Sequence, residues 1–166
     1  GTNLILPTLS NYGAHQVAYN TAVNTEYPSW GYMVKKGATS MWELWNSDTE
    51  PPDRMNSRNH FALGSVGEWY FSHLAGLRPV LPGFKKTLIK PMPAEGLTWV
   101  KASHDTPYGM LKSSWSKDNG HLHLDVTIPA NTSAQLHIPL TGFSDPVVYE
   151  INELVFSDSA FVSGEL

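Results

Sequence analysis

Residues 57–84 read SRNHFALGSVGEWYFSHLAGLRPVLPGF, and the grammar of the chain changes inside this stretch. In its first half Phe61, Val66, Trp69, Tyr70, His73 and Leu74 recur at helical spacing, which puts them on one face of a helix. Ser57 or Asn59 is placed to cap that helix, and Gly76 with Pro79 to end it. The second half is broken by glycine and proline, and no helical period survives beyond it. The stretch is therefore the boundary between a helical unit, residues 1–79, and a β unit, residues 80–166.

On the helical side, Leu4, Leu6 and Leu9 share a short helix with Pro7 near its first turn, stopped by Asn11, Tyr12 and Gly13. Ala14, Val17, Ala18, Ala22 and Val23 mark a second helix, ended by Asn24 and Pro28. Residues 28–36, PSWGYMVKK, supply one or two further turns closed by Gly37.

On the other side, strands are expected at Thr87–Lys90, Leu97–His104 and Gly109–Ser116. Asn119-Gly120 is the strongest short hairpin signal in the chain. After it Leu122, Leu124, Val126 and Ile128 alternate with polar residues, and Ala134, Leu136, Ile138 and Leu140 do the same. Consecutive antiparallel strands with one buried and one wet face make a β-sandwich layer. A last strand is expected from Val147 to Phe156. Helices first and strands second give an α+β chain of two units.

Composition narrows the function. With 16% charged residues and a net charge of −4, the chain has no basic surface to hold a phosphate backbone, so nucleic-acid binding is not expected. It contains no cysteine, hence no disulfide and no thiolate metal site. No apolar run reaches the roughly 20 residues that cross a bilayer. His121 and His123 alternate on one strand face, but a pair without a third ligand reads as surface and not as a metal site. No nucleotide loop, zinc helix or serine elbow motif is present, and no cofactor is expected.

The chemistry concentrates in residues 39–60, TSMWELWNSDTEPPDRMNSRNH, which have neither helical nor strand period. Glu43 sits between Trp42 and Trp45. A carboxylate placed among indoles is partly removed from water, an environment that suits general acid/base work on sugars. The competing reading is that Glu43 only accepts from an indole N–H. Asp48, Glu50 and Asp53 follow in a loop stiffened by Pro51 and Pro52, with Arg54 and Arg58 as their expected ion-pair partners. His60 opens the long helix, where it can donate to a hydroxyl or simply cap and pack.

PSWGYMVKKGATSMWELWNS (28–47) followed by MNSRNHFALGSVGEWYFSHLAGLRP (55–79) resembles the end of the catalytic domain of bacterial α-L-rhamnosidases, glycoside hydrolase family 78. The family pattern is YPSWGYMIxxGATTxWExW, a loop, then SxNHxxxGxVxxWxYxxxAGI. Downstream, LTWVKASHDTPYGMLKSSW (97–115) and DVTIPANTSAQLHIP (125–139) are similar to the family's C-terminal β-sandwich. The resemblance covers residues 1–140. It implies that the helices are the last part of an (α/α)6 barrel, followed by an antiparallel β-sandwich. It also implies inverting hydrolysis of terminal α-L-rhamnosides, with Glu43 as general base. Trp42 and Trp45 would line the pocket, with Trp42 alternatively serving only as packing, and His60 would sit near the sugar hydroxyls.

The general acid of the family lies upstream, in helices that these residues do not contain. The expected partners are a rhamnose-containing glycan and the missing N-terminal part of such an enzyme, or a second copy of the chain. Exposed barrel-facing helix sides are expected if neither protein partner is bound. The compartment stays open between bacterial cytoplasm and periplasm, since no signal-peptide pattern is present. An alternative reading makes the chain a non-catalytic carbohydrate-binding or structural module, with Trp99, Tyr108 and Trp115 as a stacking platform on the sandwich.

Overall fold

The helical residues form three short helices, α1 (Thr2–Asn11), α2 (His15–Val23) and α3 (Trp30–Lys35), followed by one interrupted helical run. That run consists of α4 (Phe61–Gly64), α5 (Val66–Trp69) and a π-helical turn, Tyr70–Leu74. The structure, a computed structural model, describes residues 1–54, 57–140, 142–150, 153–157 and 160–161. Leu6 of α1, Ala18 and Ala22 of α2, and Val66, Trp69 and Leu74 of the last run bury one another in the helical core. On α2 only the alanines are buried. Val17 and Val23 face outward at 54% and 50% exposure, because small residues at 18 and 22 let α2 close onto α1. Pro7 falls in the second turn of α1, not its first, because the helix already starts at Thr2.

Among the described residues the β unit forms nine strands. β1 (Leu77–Pro79), β2 (Lys86–Ile89) and β6 (Ser133–Leu136) make one sheet, while β3 (Trp99–Thr106), β4 (Gly109–Asp118) and β5 (His121–Thr127) make a second. Their facing sides bury Leu77, Ile89 and Leu111, with Val100, Ala102, Val126 and Ala134 packed around them. The β4–β5 hairpin turns at Asn119 and Gly120, with φ of 48° and 79°, the two positive values a tight primed turn requires. β1 takes up residues on the helical side of the 79/80 division.

Two strand expectations need correction. The alternating residues after Ser133 do not continue the antiparallel order. β6 pairs in parallel with β2, Lys86 opposite Ser133 and Ile89 opposite Leu136. A parallel pair needs a long crossover, and β3, β4 and β5 together provide it. The strand expected from Val147 to Phe156 is instead a hairpin of β7 (Val148–Glu150) and β8 (Glu153–Ser157), to which β9 (Ala160–Phe161) is added. Residues 151 and 152 within that expected strand lie outside the described residues.

The two units are joined at the end of the π turn, where helix carbonyls run out of intrahelical donors. Each finds one in the β unit. Arg78 Nε donates to Ser72 O at 2.6 Å, Met92 N to His73 O at 2.9 Å, Trp115 Nε1 to Leu74 O at 2.7 Å and Ser113 Oγ to Ala75 O at 2.7 Å. Lys90 N adds a bond to Gly76 O at 2.9 Å. Gly76 turns at φ +79°, and a Cβ there would collide with the Lys90 carbonyl and Pro91 nitrogen.

Two histidines flank Trp69 at the same joint, with ring centroids 5.8 Å (His15) and 6.3 Å (His73) from it. Trp69 Nε1 donates to Ser10 Oγ, which meets His15 Nδ1, and His15 Nε2 meets Met92 O at 2.7 Å. Ser72 Oγ meets His73 Nδ1 at 2.7 Å, and Asn11 Oδ1 meets Nε2 at 3.2 Å. One neutral tautomer, protonated on Nε2, satisfies each ring. Burial pushes His73 down to about 4, with the Arg78 guanidinium and His15 adding to it. Burial lowers His15 as well, against its bond to Met92 O.

Two outcomes are expected. Gly76→Ala adds a clash and a disfavoured φ, and urea unfolding should show a loss of about 2 kcal/mol or more. Because the folded pKa of His73 lies below its unfolded value of 6.5, the unfolded chain takes up the proton first as pH falls. Stability should be constant above pH 6.5 and decline from there toward pH 4, and His73→Gln should flatten that decline in thermal scans. An unchanged slope in the variant would remove His73 as its source.

Candidate active site

The long loop between α3 and α4 is held by its own backbone. Ser29 Oγ caps α3 by accepting from Tyr32 N at 3.0 Å, and Gly37, at φ +78°, closes it. Residues 40–43 then run beside residues 57–60. Ser40 Oγ donates to Arg58 O, His60 N to Met41 O at 2.9 Å, and Glu43 N to Ser57 O at 3.2 Å. These contacts bring together the two halves of the loop that carry Glu43 and His60.

Trp42 is 7% exposed and packs with Met33 and Leu63, so it anchors the loop from below. Trp45 is half-buried and stands edge-on to Trp30, centroids 5.1 Å apart at 83°. Trp30 is itself fixed by its Nε1 bond to Leu63 O at 2.8 Å. In sequence the Glu43 carboxylate stands between Trp42 and Trp45. Its Oε2 is buried and, among the described residues, accepts no hydrogen bond. Among the described residues no indole N–H is given to that oxygen, and those of Trp30, Trp69 and Trp115 go to Leu63 O, Ser10 Oγ and Leu74 O.

The other acids of the loop are occupied or exposed. Asp48 Oδ2 accepts from Tyr32 OH at 2.9 Å and lies 3.6 Å from Lys36 Nζ. That bond to Asp48 raises the pKa of the Tyr32 phenol. Glu50 Oε1 accepts from Asn46 Nδ2 at 2.7 Å. The cation on Asp48 is thus Lys36, not Arg54 or Arg58, because the loop folds back onto α3 and not along itself. Asp53 is exposed.

His60 caps α4 itself. Its Nδ1 accepts from Ala62 N at 3.1 Å, so Nε2 is the nitrogen left to donate. Neither Ser57 nor Asn59 is the cap. Ser57 Oγ is spent on the Asn59 N–H within its own turn. The His60 ring stacks on Phe61, centroids 4.9 Å apart, beside a cleft of about 650 Å³. Met41, Asn59, Ser65 and Glu68 also line this cleft, whereas Glu43, Trp42 and Trp45 do not. Glu68 is a second carboxylate near His60, outside the loop. Its signal was the helical interval of eight from His60, which puts both on one face.

On the β unit the three rings of the alternative platform are not on one surface. Trp115 pairs opposite Val100, is 2% exposed and points into the joint, whereas Trp99 is 60% exposed on the other face. Neighbouring positions on a strand face opposite ways, which is why the two indoles separate. Tyr108 lies beyond the far end of the β3–β4 ladder. His121 and His123 lie 6.5 Å apart on the exposed side of β5, and no group of three His, Asp or Glu able to hold a metal occurs among the described residues. Among those residues no helix is long and apolar enough to cross a membrane.

Residues 1–74 match the bacterial alpha-L-rhamnosidase 6 hairpin glycosidase domain, and residues 76–147 match the bacterial alpha-L-rhamnosidase C-terminal domain. The chain belongs to the bacterial alpha-L-rhamnosidase family. It is 41% identical over 143 residues to an alpha-L-rhamnosidase of Formosa agariphila, covering 84% of this chain and 15% of that protein. It superimposes on the alpha-L-rhamnosidase of Dictyoglumus thermophilum with a TM-score of 0.89 at 32% identity, covering 99% of this chain and 18% of that one. The structure of the Streptomyces avermitilis alpha-L-rhamnosidase complexed with L-rhamnose matches with a TM-score of 0.77 at 38% identity, covering 84% of this chain and 14% of that one. The chain thus spans less than a fifth of the length of these relatives. Within the rhamnosidase family match, the two domain models meet at Ala75, inside the joint of carbonyl bonds described above.

The cap and the free nitrogen of His60 can be separated. His60→Ala should lower stability by about 1 kcal/mol in urea unfolding, whereas His60→Asn, a good capping residue, should keep it. Equal stability of all three forms would mean that the imidazole contributes nothing as a cap.

Proposed function

We propose that this chain is the C-terminal portion of an inverting α-L-rhamnosidase that hydrolyses terminal α-L-rhamnosyl residues, with Glu43 as general base. The observation that carries this reading is the buried Oε2 of Glu43, which accepts no hydrogen bond among the described residues. A buried polar atom without a partner is costly, and such atoms are kept where a ligand or a reacting group completes them. A water held on this oxygen would lose a proton to the carboxylate as its oxygen attacks the anomeric carbon. The glycosidic C–O bond breaks on the opposite face, and the leaving oxygen takes its proton from an acid outside this chain.

Inversion needs room for that water, which sets the two carboxyls roughly 6.5–9.5 Å apart. Trp45 and His60 are the sugar contacts in this reading, His60 through its Nε2. Trp42 supports the loop beneath Glu43 and reaches the sugar at most by its edge. The rest of the enzyme is the partner in this reading. Leu4, Ile5, Tyr12 and Phe61 are 51% to 87% exposed on the helices, apolar surface that further hairpins of a barrel would cover.

In the longer enzyme that carries this portion, Glu43→Gln should lower kcat on an aryl α-L-rhamnoside by roughly 10³-fold and leave rhamnose binding largely intact. The 166-residue chain alone should give no turnover above background. Near-normal kcat in the variant would sink the assignment of Glu43.

A further inference from the structure

A second cleft, of about 640 Å³, opens at the joint between helices and sheet; it shares Glu68 with the cleft beside His60, while Glu43 lines neither. Its size is that of a small-ligand site, and its walls are mainly apolar with a few polar groups. Phe71 of the π turn, 45% exposed, forms one wall. Phe84 forms another and holds a left-handed backbone, φ 61°, which is rare for a bulky residue and marks a position kept for a purpose. Its ring tilts against His104, centroids 4.9 Å apart.

Arg78 lies between these walls. Its Nε is spent on Ser72 O and one Nη2 hydrogen on the Met92 sulfur, so the guanidinium is fixed in place with the remaining N–H groups uncommitted. It is half-buried, and no carboxylate forms an ion pair with it among the described residues. A guanidinium presented in this way suits a carboxylate, which it can meet with two parallel bonds. Glu68 and Asn11 also line the cleft and offer acceptors and a donor to hydroxyl groups.

We propose that this cleft binds a sugar acid: a carboxylate on Arg78, ring hydroxyls on Asn11, Glu68 and His104, and the C–H face of the ring on Phe71 and Phe84. Glu68 already faces part of the Arg78 charge across the cleft, but a neutral hexose would leave the remaining Arg78 N–H groups without a charged acceptor. A simple carboxylate would leave the aromatic walls unused, and an apolar acid would leave Glu68 facing no donor. The site is separate from Glu43 and does not depend on the role proposed for it.

The test is NMR titration of the isotope-labelled 166-residue chain with D-glucuronate, D-glucose and acetate, repeated with Arg78→Gln, Phe71→Ala and Glu43→Gln. Glucuronate should shift the signals of Asn11, Phe71, Arg78 and His104 and saturate, while glucose and acetate should bind at least tenfold more weakly. Arg78→Gln should weaken glucuronate binding at least tenfold. If Arg78→Gln fails to fold, Phe71→Ala decides, because its exposed ring can be truncated without opening the core; it should weaken binding severalfold. Glu43→Gln should change nothing here, which separates this site from the one proposed for hydrolysis. The proposal is overturned if glucuronate shifts no signals at the cleft, if glucose or acetate binds as tightly, or if Phe71→Ala binds as the parent does.

Discussion

Everything in this chain hangs on how one helix ends. Four successive carbonyls, from Ser72 to Ala75, leave the helical ladder, and each is met by a donor from the β unit. An unmet carbonyl in that buried place would cost roughly 1–3 kcal/mol, several times the net gain of an ordinary bond in some contexts. The helix therefore cannot end correctly without the sheet. Nor can Trp115 and Ser113, buried at 2% and 0%, be satisfied without the helix. The division into a helical and a β unit is real in sequence and in architecture, but at this joint the two units share one set of polar groups.

The same anchoring positions the opposite end of the helical run. Its far end is fixed on the sheet, its middle is fixed by Trp69 between His15 and His73, and its N-cap is His60. The backbone bond from His60 to Met41, and that from Glu43 to Ser57, carry this placement into the loop. The β unit thus helps to determine where Glu43 and His60 stand.

Much of this was legible in the chain as written. The helices at 2–23 and 61–74 follow from apolar period, and the β4–β5 hairpin follows from Asn119-Gly120, because both signals are local. What was not legible depends on partners distant in sequence. The parallel pairing of β6 with β2 is a choice of neighbour that alternation cannot specify. The separation of Trp99 from Trp115 follows from ladder register, not from ring content. His60 as its own cap was hidden because the rule for caps favours Ser57 and Asn59, whose hydroxyl and amide are short and close to the backbone. Glu68 carries no local irregularity that would mark it, since it sits in plain helical phase.

The loop acids show why an unperiodic stretch can still be specific. Asp48 and Glu50 have the same charge as Glu43 and lie close to it in sequence, yet each is given a donor: Tyr32 and Lys36 for the one, Asn46 for the other. Glu43 is held by its backbone, through the bond to Ser57 O, and is left with a buried oxygen that nothing in the described residues satisfies. Had the loop been selected only to fold, the cheaper arrangement would give Glu43 one of the donors its neighbours receive, or turn it to water. The neighbouring acids hold the loop, and the unsatisfied one holds nothing. In the reading proposed for Glu43, rigid backbone bonds around such a side chain keep a reacting group oriented without consuming its capacity to accept a proton.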